Sequence, residues 1–566
     1  MPAPRVAVAT VLTVSLLAVA ACTASTTGGH GTALHPPPTS SSTSAPVPAP
    51  ASGELTDCLP HPTTCNSAAG GDVAKGGDVT VGISPLQGWN EYDNLNYSTG
   101  LGLVLNGVLP NVFIAQPNYD PVLNTDIVSS ATSTTSGPQV ITYTINPSAT
   151  WNDATPIGVD DFTYTWHAAA AADIAGYDAI GSVVAGAGHT VVVHLTRRLA
   201  DWAALFSPLY PGRIAAVHGS ITAAGTWFST HVPDYSAGPY EIASGSDLDS
   251  VRLERNPRWG GTPGTLDSIS FKAYNGPDEL VTALRDGEVQ VIQPTVSSET
   301  VAALKAMSGI SYELGPGASW EHLNLGTKNP TLRDQTLREA IFTTIDSSQI
   351  TTAAAQSLGA DVEPVYNHML LPGQAGNVDN ISRLGQGSGD VDKAKRLLRA
   401  AGYHGVGTVL RAPSGSPVRL SCGYSNPLRA VECAAVEAQL RPLGLTVTPK
   451  QTDIAVYLKG RYDLLIFAWL GGAFPTYGGA SIYSSYAGTH HAEVQALLSQ
   501  AASATSPGAS QRLLNRADAV LSADAYELPL YRKPSVLAFR SDLVNVRDNT
   551  SSYGPTYNIA QWGLRA

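Results

Sequence analysis

Charge is scarce in this chain, and basic charge scarcer still. Of 566 residues only 14% are Asp, Glu, Lys or Arg, against roughly 25% in an average globular protein. Lys and Arg number 33 against 45 acidic residues, a formal net charge of −12, and no basic block occurs. Binding to phosphates needs clustered Lys and Arg, so nucleic acid is excluded as the main partner. Beyond the N-terminus no run of about 18 apolar residues is present to span a membrane. A GxSxG elbow, an HExxH, a P-loop and a dinucleotide glycine fingerprint are also missing from any matching strand–turn–helix context. Ser84, Ser319 and Ser484 have no partner His or Lys recognisable by spacing. The expectation is a protein that is not an enzyme and takes no cofactor. His490 and His491 are adjacent and would point to different faces of a helix, and no cysteine pair is CxxC, so no metal site is expected either.

What is present is an apolar fraction of 43% with 54 Gly and 39 Pro, enough length for two or three domains that each bury a core. Arg5 precedes the apolar run Val6 to Ala21 and then Cys22, the layout of a secretory signal over residues 1–21. Val19-Ala20-Ala21-Cys22 looks like a bacterial lipobox, in which Cys22 is lipidated and palmitate-type chains hold the protein to the membrane. Residues 23–53 are mostly Thr, Ser, Gly, Pro and Ala and bury too little to offset chain entropy. They read as a tether of roughly 30 Å. Export favours disulfides; sequence proximity suggests Cys58–Cys65 and Cys422–Cys433, although four cysteines allow three connectivities.

Along the body, strands come first and helices then alternate with strands. Residues 76–83 read as a turn entering a strand, and Ile141, Tyr143 and Ile145 share one face of a half-buried strand. Asp160 or Asp161 is expected to cap a helix carrying Phe162, Trp166 and Ala169 on one side, and Asp334 a helix with Leu337, Ala340, Ile341 and Ile345 inward. Val391, Ala394, Leu397, Leu398 and Ala401 form another stripe, ended by Gly402. Further helices are expected over 430–441, 493–503 and 510–523, and strands over 445–447 and 464–469.

Tyr143-Thr144-Ile145-Asn146-Pro147-Ser148-Ala149-Thr150-Trp151-Asn152-Asp153 through Phe162 resembles the signature of the family 5 extracellular solute-binding proteins, the oligopeptide- and dipeptide-binding components of ABC importers. Ser236-Ala237-Gly238-Pro239-Tyr240, Leu253-Glu254-Arg255-Asn256-Pro257, Leu332-Arg333-Asp334 and Leu397 to Tyr403 are similar to family segments in the same order. The resemblance implies an α/β fold: a two-lobed periplasmic-binding-protein clamp (type II, cluster C) with an extra subdomain inserted in the first lobe. Lobe I is expected at 76–106, 231–305 and 531–566, the inserted subdomain at 107–230 and lobe II at 306–530, after a lipidated tether and disulfide loop at 22–75. The chain would cross between lobes near 305 and near 530.

The implied function is an extracytoplasmic, lipid-anchored binding subunit of an ABC importer. It would act as a monomer, close on an oligopeptide or other small ligand, and deliver it to permease subunits. The alternative is a non-transport lipoprotein of the same shape that binds a glycolipid or regulates cell-envelope synthesis. Ligand-facing candidates are Asn94, Asn96 and Tyr97 after the first strand, Trp320 and Asn324 at the start of lobe II, Trp469, Gly471, Phe474 and Tyr477 in the loop after a predicted strand, and Tyr531 at the return crossing. Peptide binders of the family carry in that loop a carboxylate for the ligand's amino terminus, yet no Asp or Glu occurs from Trp469 to Ser485. Trp151 and Asp153 read as structural.

Overall fold

The computed structural model describes residues 72–93, 98–453, 460–483, 488 and 490–566. Cys22, Cys58, Cys65, Asn94, Asn96 and Tyr97 lie outside the described residues.

An eleven-stranded mixed sheet runs through the molecule. Its spine is a pair of long antiparallel strands, Ile310–Leu325 and Glu527–Arg540. On one side of the pair follow Val291–Ile292, Asp78–Ile83, Ser268–Ala273, Ser250–Arg255 and Tyr240–Ile242; on the other, Leu464–Leu470, Arg419–Tyr424 and Thr446–Gln451. The two sets attach to different halves of the pair. On the long pair, Leu464–Leu470 bonds to Ser319 to Leu325, whereas Val291–Ile292 bonds to Phe539 and Ala538. Where the halves meet, the ladder slips: Pro316 stands opposite Pro534, and pairing resumes at Trp320 opposite Arg532. Proline has no N–H to donate, so two facing prolines leave carbonyls without ladder partners.

Each half has its own core. One large cluster takes in Val79, Val81, Ile141, Tyr143, Trp151, Phe162 and Leu253, and returns at Leu537, Phe539 and Trp562. A second is built from Leu323, Leu337, Ile341, Leu398, Cys422, Cys433 and Leu528. Within the first lies a four-stranded antiparallel sheet in the order Val128–Ser133, Val140–Ile145, Thr190–Leu195, Ile180–Ala185. Ile141, Tyr143 and Ile145 face inward there, as their alternation predicts. Trp151 is fully buried with Arg213 over its ring, and Asp153 holds that same Arg213 at 2.9 Å.

Local signals in the sequence map closely onto the helices. Asp334 caps Gln335–Thr344 by accepting from the Thr336 N–H, and Gly402 ends the stripe of Val391–Ala400 at φ +82°. The cap expected at Asp160 or Asp161 is displaced: Gly158 caps Val159–Ala171, and both acids sit in its first turn. Asp161 reaches back to the Gly158 N–H at 2.9 Å and across to the Gly212 N–H at 2.8 Å, so its carboxylate ties two segments instead of starting one. The helix expected from 430 begins at Pro427 behind an Asn426 cap, because proline fits the first helical position. Ser506 likewise starts Pro507–Ala523 ahead of the expected 510. Cys422 on Arg419–Tyr424 is bonded to Cys433 on Pro427–Leu440, stapling a helix to its strand.

Close to the ladder slip, Glu313 accepts the Asp548 N–H at 2.8 Å, and Asp548 in turn accepts from Gln293 at 2.9 Å and from Ser535. Burial, with the Asp548 charge beside it, pushes Glu313 up to about 7. A carboxyl whose folded value exceeds its unfolded value of 4.5 costs nothing below pH 4.5 and costs stability progressively as pH rises through 7. Glu313→Gln is therefore expected to raise the thermal midpoint by a few degrees at pH 8 and leave it unchanged at pH 4, measured by calorimetry.

Candidate functional site

The second half of the molecule presents its loop Leu470 to Phe474 between the strand Leu464–Leu470 and the helix Pro475–Tyr483. Gly471 donates its N–H to the Ala318 carbonyl at 2.9 Å. A Cβ on Gly471 would stand 2.3 Å from Leu371 Cδ1, so only glycine lets the loop lie this close. Gly472 faces open space, and its carbonyl accepts from Gln374 at 2.9 Å. Trp320, His368, Leu371, Gly471, Gly472 and Gly478 are among the residues lining a small groove here.

Beneath the groove lies a buried polar network centred on Glu527. Its carboxylate accepts from Asn324 Nδ2 and Trp469 Nε1, each at 3.0 Å, and from the Tyr483 hydroxyl at 2.8 Å. His322 Nδ1 lies 3.1 Å from the same carboxylate, and the His322 ring stacks on Trp469 with centroids 5.3 Å apart. Burial holds His322 below its usual value against the pull of Glu527 and Glu321, which keeps it neutral. His368 behaves oppositely. Burial pushes it down, but its 2.7 Å bond to Asp518 and that carboxylate's charge outweigh burial and raise it. Alternation along Ile310–Leu325 explains the arrangement: Trp320, His322 and Asn324 share one face, while Glu321 points to the other. There Glu321 receives Arg429 Nη2 at 3.0 Å and Lys533 at 3.4 Å. Next to them Glu432 is driven up to about 8 by burial and by the Glu321 charge, and it accepts from the Tyr531 hydroxyl.

The expected ligand residues therefore divide. Trp320, itself buried, and Gly471 line the groove; Trp469 packs beside Trp320 and stays partly exposed, with its indole N–H committed to Glu527. Asn324 is buried, giving its amide N–H to Glu527 and accepting from the Tyr462 hydroxyl at 2.7 Å. Tyr531 is buried with its hydroxyl on Glu432. Both have their polar atoms spent on the protein. Phe474 and Tyr477 pack with ring centroids 6.5 Å apart, and Tyr477 leans on the core of the first half, against Gly176.

Two contacts bridge the halves near this point. Asp201, in the first half, accepts from the Thr476 N–H at 2.9 Å and its hydroxyl at 2.5 Å, so a carboxylate sits at the N-terminal turn of Pro475–Tyr483. Ala200 donates to the Ala502 carbonyl at 2.6 Å. Asp201, Glu527 and Arg532 escape sequence reasoning because nothing in their local pattern points to partners so distant along the chain.

Residues 123–490 match the model for bacterial extracellular solute-binding proteins, family 5 Middle, over more than half of the chain. The chain belongs to this family. Its fold is the α/β, type II periplasmic-binding-protein architecture seen in solved family structures. Among those similar to this solute-binding protein is the oligopeptide-binding protein OppA of Mycobacterium tuberculosis, 29% identical over 467 residues, covering 78% of this chain and 77% of OppA. The structure of the periplasmic EDTA-binding protein EppA is 31% identical with a TM-score of 0.80, covering 91% of this chain and 99% of EppA. The probable monoacyl phosphatidylinositol tetramannoside-binding protein LpqW of M. tuberculosis is 29% identical over 270 residues, 45% of this chain and 41% of LpqW. Among the described residues no helix is long and apolar enough to cross a membrane.

Glu527 is the hub, so Glu527→Ala would strand three buried donors at once. Breaking a buried polar set from one side costs about 3–5 kcal/mol. Urea denaturation followed by Trp fluorescence is expected to report a loss of that size, with Glu527→Gln losing less.

Proposed function

We propose that this solute-binding protein is the capture subunit of an ABC importer, closing on oligopeptides outside the cytoplasm and handing them to a permease. It is held to the membrane as a monomer through lipid on Cys22 and the tether that follows. The observation that carries the reading is the glycine-lined groove beside Trp320 and Trp469, next to the points where the halves touch. The similarity to OppA over most of both chains supports peptide as the ligand class.

Lobe I corresponds to 76–106, 231–305 and 531–566, with the subdomain at 107–230 inserted in it, and lobe II to 306–530. Closure turns on the ladder slip between Pro316 and Trp320. A ligand favours the closed form through contacts with both lobes. Trp469 and Phe474 offer partly exposed apolar surface, Trp320 backs them as a buried residue, and the backbone at Gly471 and Gly472 can approach a main chain, the mode in which strand-like pairing holds a peptide whatever its side chains. Asn94, Asn96 and Tyr97 are proposed as further ligand-binding residues on the strength of the sequence. Tyr477 supports the lobe contact, while Asn324 and Tyr531 shape the wall from behind. No cofactor, metal or catalytic step belongs to this reading.

One observation favours a second reading, in which a glycolipid fills the cleft: the loop from Trp469 to Ser485 has no carboxylate for a peptide's ammonium group. The chain's similarity to LpqW, though partial, points the same way. Native mass spectrometry of the purified protein separates the two. Peptide masses are expected on the wild type. Gly472→Phe, at an exposed position where an added Cβ meets nothing within 4 Å, is expected to fold normally and lower peptide affinity at least tenfold. Lipid masses without peptide would overturn the first reading in favour of the second.

A further inference from the structure

The contact between the two halves joins groups that are badly satisfied in it. The helix Pro475–Tyr483 belongs to the second half by its packing, since Tyr483 lies in a buried cluster with Val494, Leu498 and Leu514. Tyr477 leaves the same helix in the other direction and packs on the core of the first half. Its hydroxyl oxygen is shut off from solvent and has no hydrogen-bond partner among the described residues. Gly176, at φ +92°, stands against it, and a Cβ there would lie 2.4 Å from that oxygen. Burial pushes the Tyr477 hydroxyl above its usual value, and the Asp201 charge adds to the push.

Asp201 is the attractive member of this contact. Its carboxylate takes the Thr476 N–H at 2.9 Å and the Thr476 hydroxyl at 2.5 Å, both from the second half. No cation supports it, and burial raises it above the usual carboxylate range in spite of those two bonds. Everything that holds this carboxylate therefore comes from across the contact. Thr476 depends on Asp201 in return, being only 1% exposed. If the halves part, water can reach the Asp201 carboxylate, the first turn of the helix and the Tyr477 hydroxyl alike. Parting costs the two charge-assisted bonds and relieves one orphaned hydroxyl, and these act in opposite directions.

We infer that this contact is a two-sided closure latch: Asp201 on Thr476 holds the halves shut, the unpaired Tyr477 hydroxyl opposes it, and the balance keeps the protein from locking closed without ligand. This rests on the clamp reading proposed above. The latch and the groove share one rigid element, because Pro475, Gly478 and Ile482 of the same helix line the groove. A change in the latch therefore alters how readily the halves meet without altering any group offered to a ligand, and the apparent affinity follows the closed fraction.

The test is the ratio of closed to open forms in the mature protein, read as short and long distances between spin labels at the exposed Val217 and Val409. It is measured without ligand and with a mixed-sequence peptide library at the concentration that half-closes the wild type. Tyr477→Phe deletes only the orphaned oxygen and is expected to raise the ratio about fivefold, the weight of one unsatisfied buried group. Asp201→Ala leaves the Thr476 N–H and hydroxyl without their acceptor in the closed form and is expected to lower the ratio at least about fivefold. Both variants are expected to melt near the wild type. An unchanged ratio in Tyr477→Phe, or shifts of the same sign in the two variants, overturns the latch. A wild type that gives one and the same distance distribution with and without the library refutes the clamp itself, and that failure is visible before any variant is compared.

Discussion

Pro316 facing Pro534 is the constraint on which the rest of this structure depends. Two long strands carry both halves of one sheet, and a continuous ladder would weld those halves into a plank. Facing prolines interrupt it, since neither can donate, and the register resumes only at Trp320 opposite Arg532. The carbonyls left over at Pro316 and Gly317 are taken by Arg532, whose buried guanidinium also meets Glu363 at 2.8 Å. A buried cation is tolerable when its donors are all engaged.

The polar interior of the second half lies beside this slip. Glu527 gathers Asn324, Trp469 and Tyr483, and Glu321 gathers Arg429 and Lys533 on the opposite face. The hydrogen bond to Glu527 fixes the indole of Trp469, which stays partly exposed.

Much of the fold was legible in the amino-acid order because its signals are local. The alternation of Ile141, Tyr143 and Ile145, the Asp334 cap and the glycine after Ala401 each report on a few neighbouring residues. The motif order around Trp151 carried the family, and the glycines after Trp469 carried the loop. Asn324 and Tyr531 are expected to face the ligand, but both are buried with their polar atoms on Glu527 and Glu432, partners about a hundred or more positions away that the sequence does not reveal. Asp201 and Arg532 gave no signal at all. Their importance comes from partners hundreds of positions away, which only the closed topology brings near. The cap at Gly158 was misplaced for a related reason: Asp161 is drawn to the Gly212 N–H, a contact invisible along the helix.

The central claim is that the halves close on a small ligand about the paired prolines. Double electron–electron resonance between spin labels at Val217 and Val409, exposed residues on the two halves, tests it most directly. With a saturating oligopeptide mixture the account predicts one narrow, shorter distance, and without ligand a broader distribution with a longer component. An identical distribution in both conditions, and with a lipid extract as well, would contradict it.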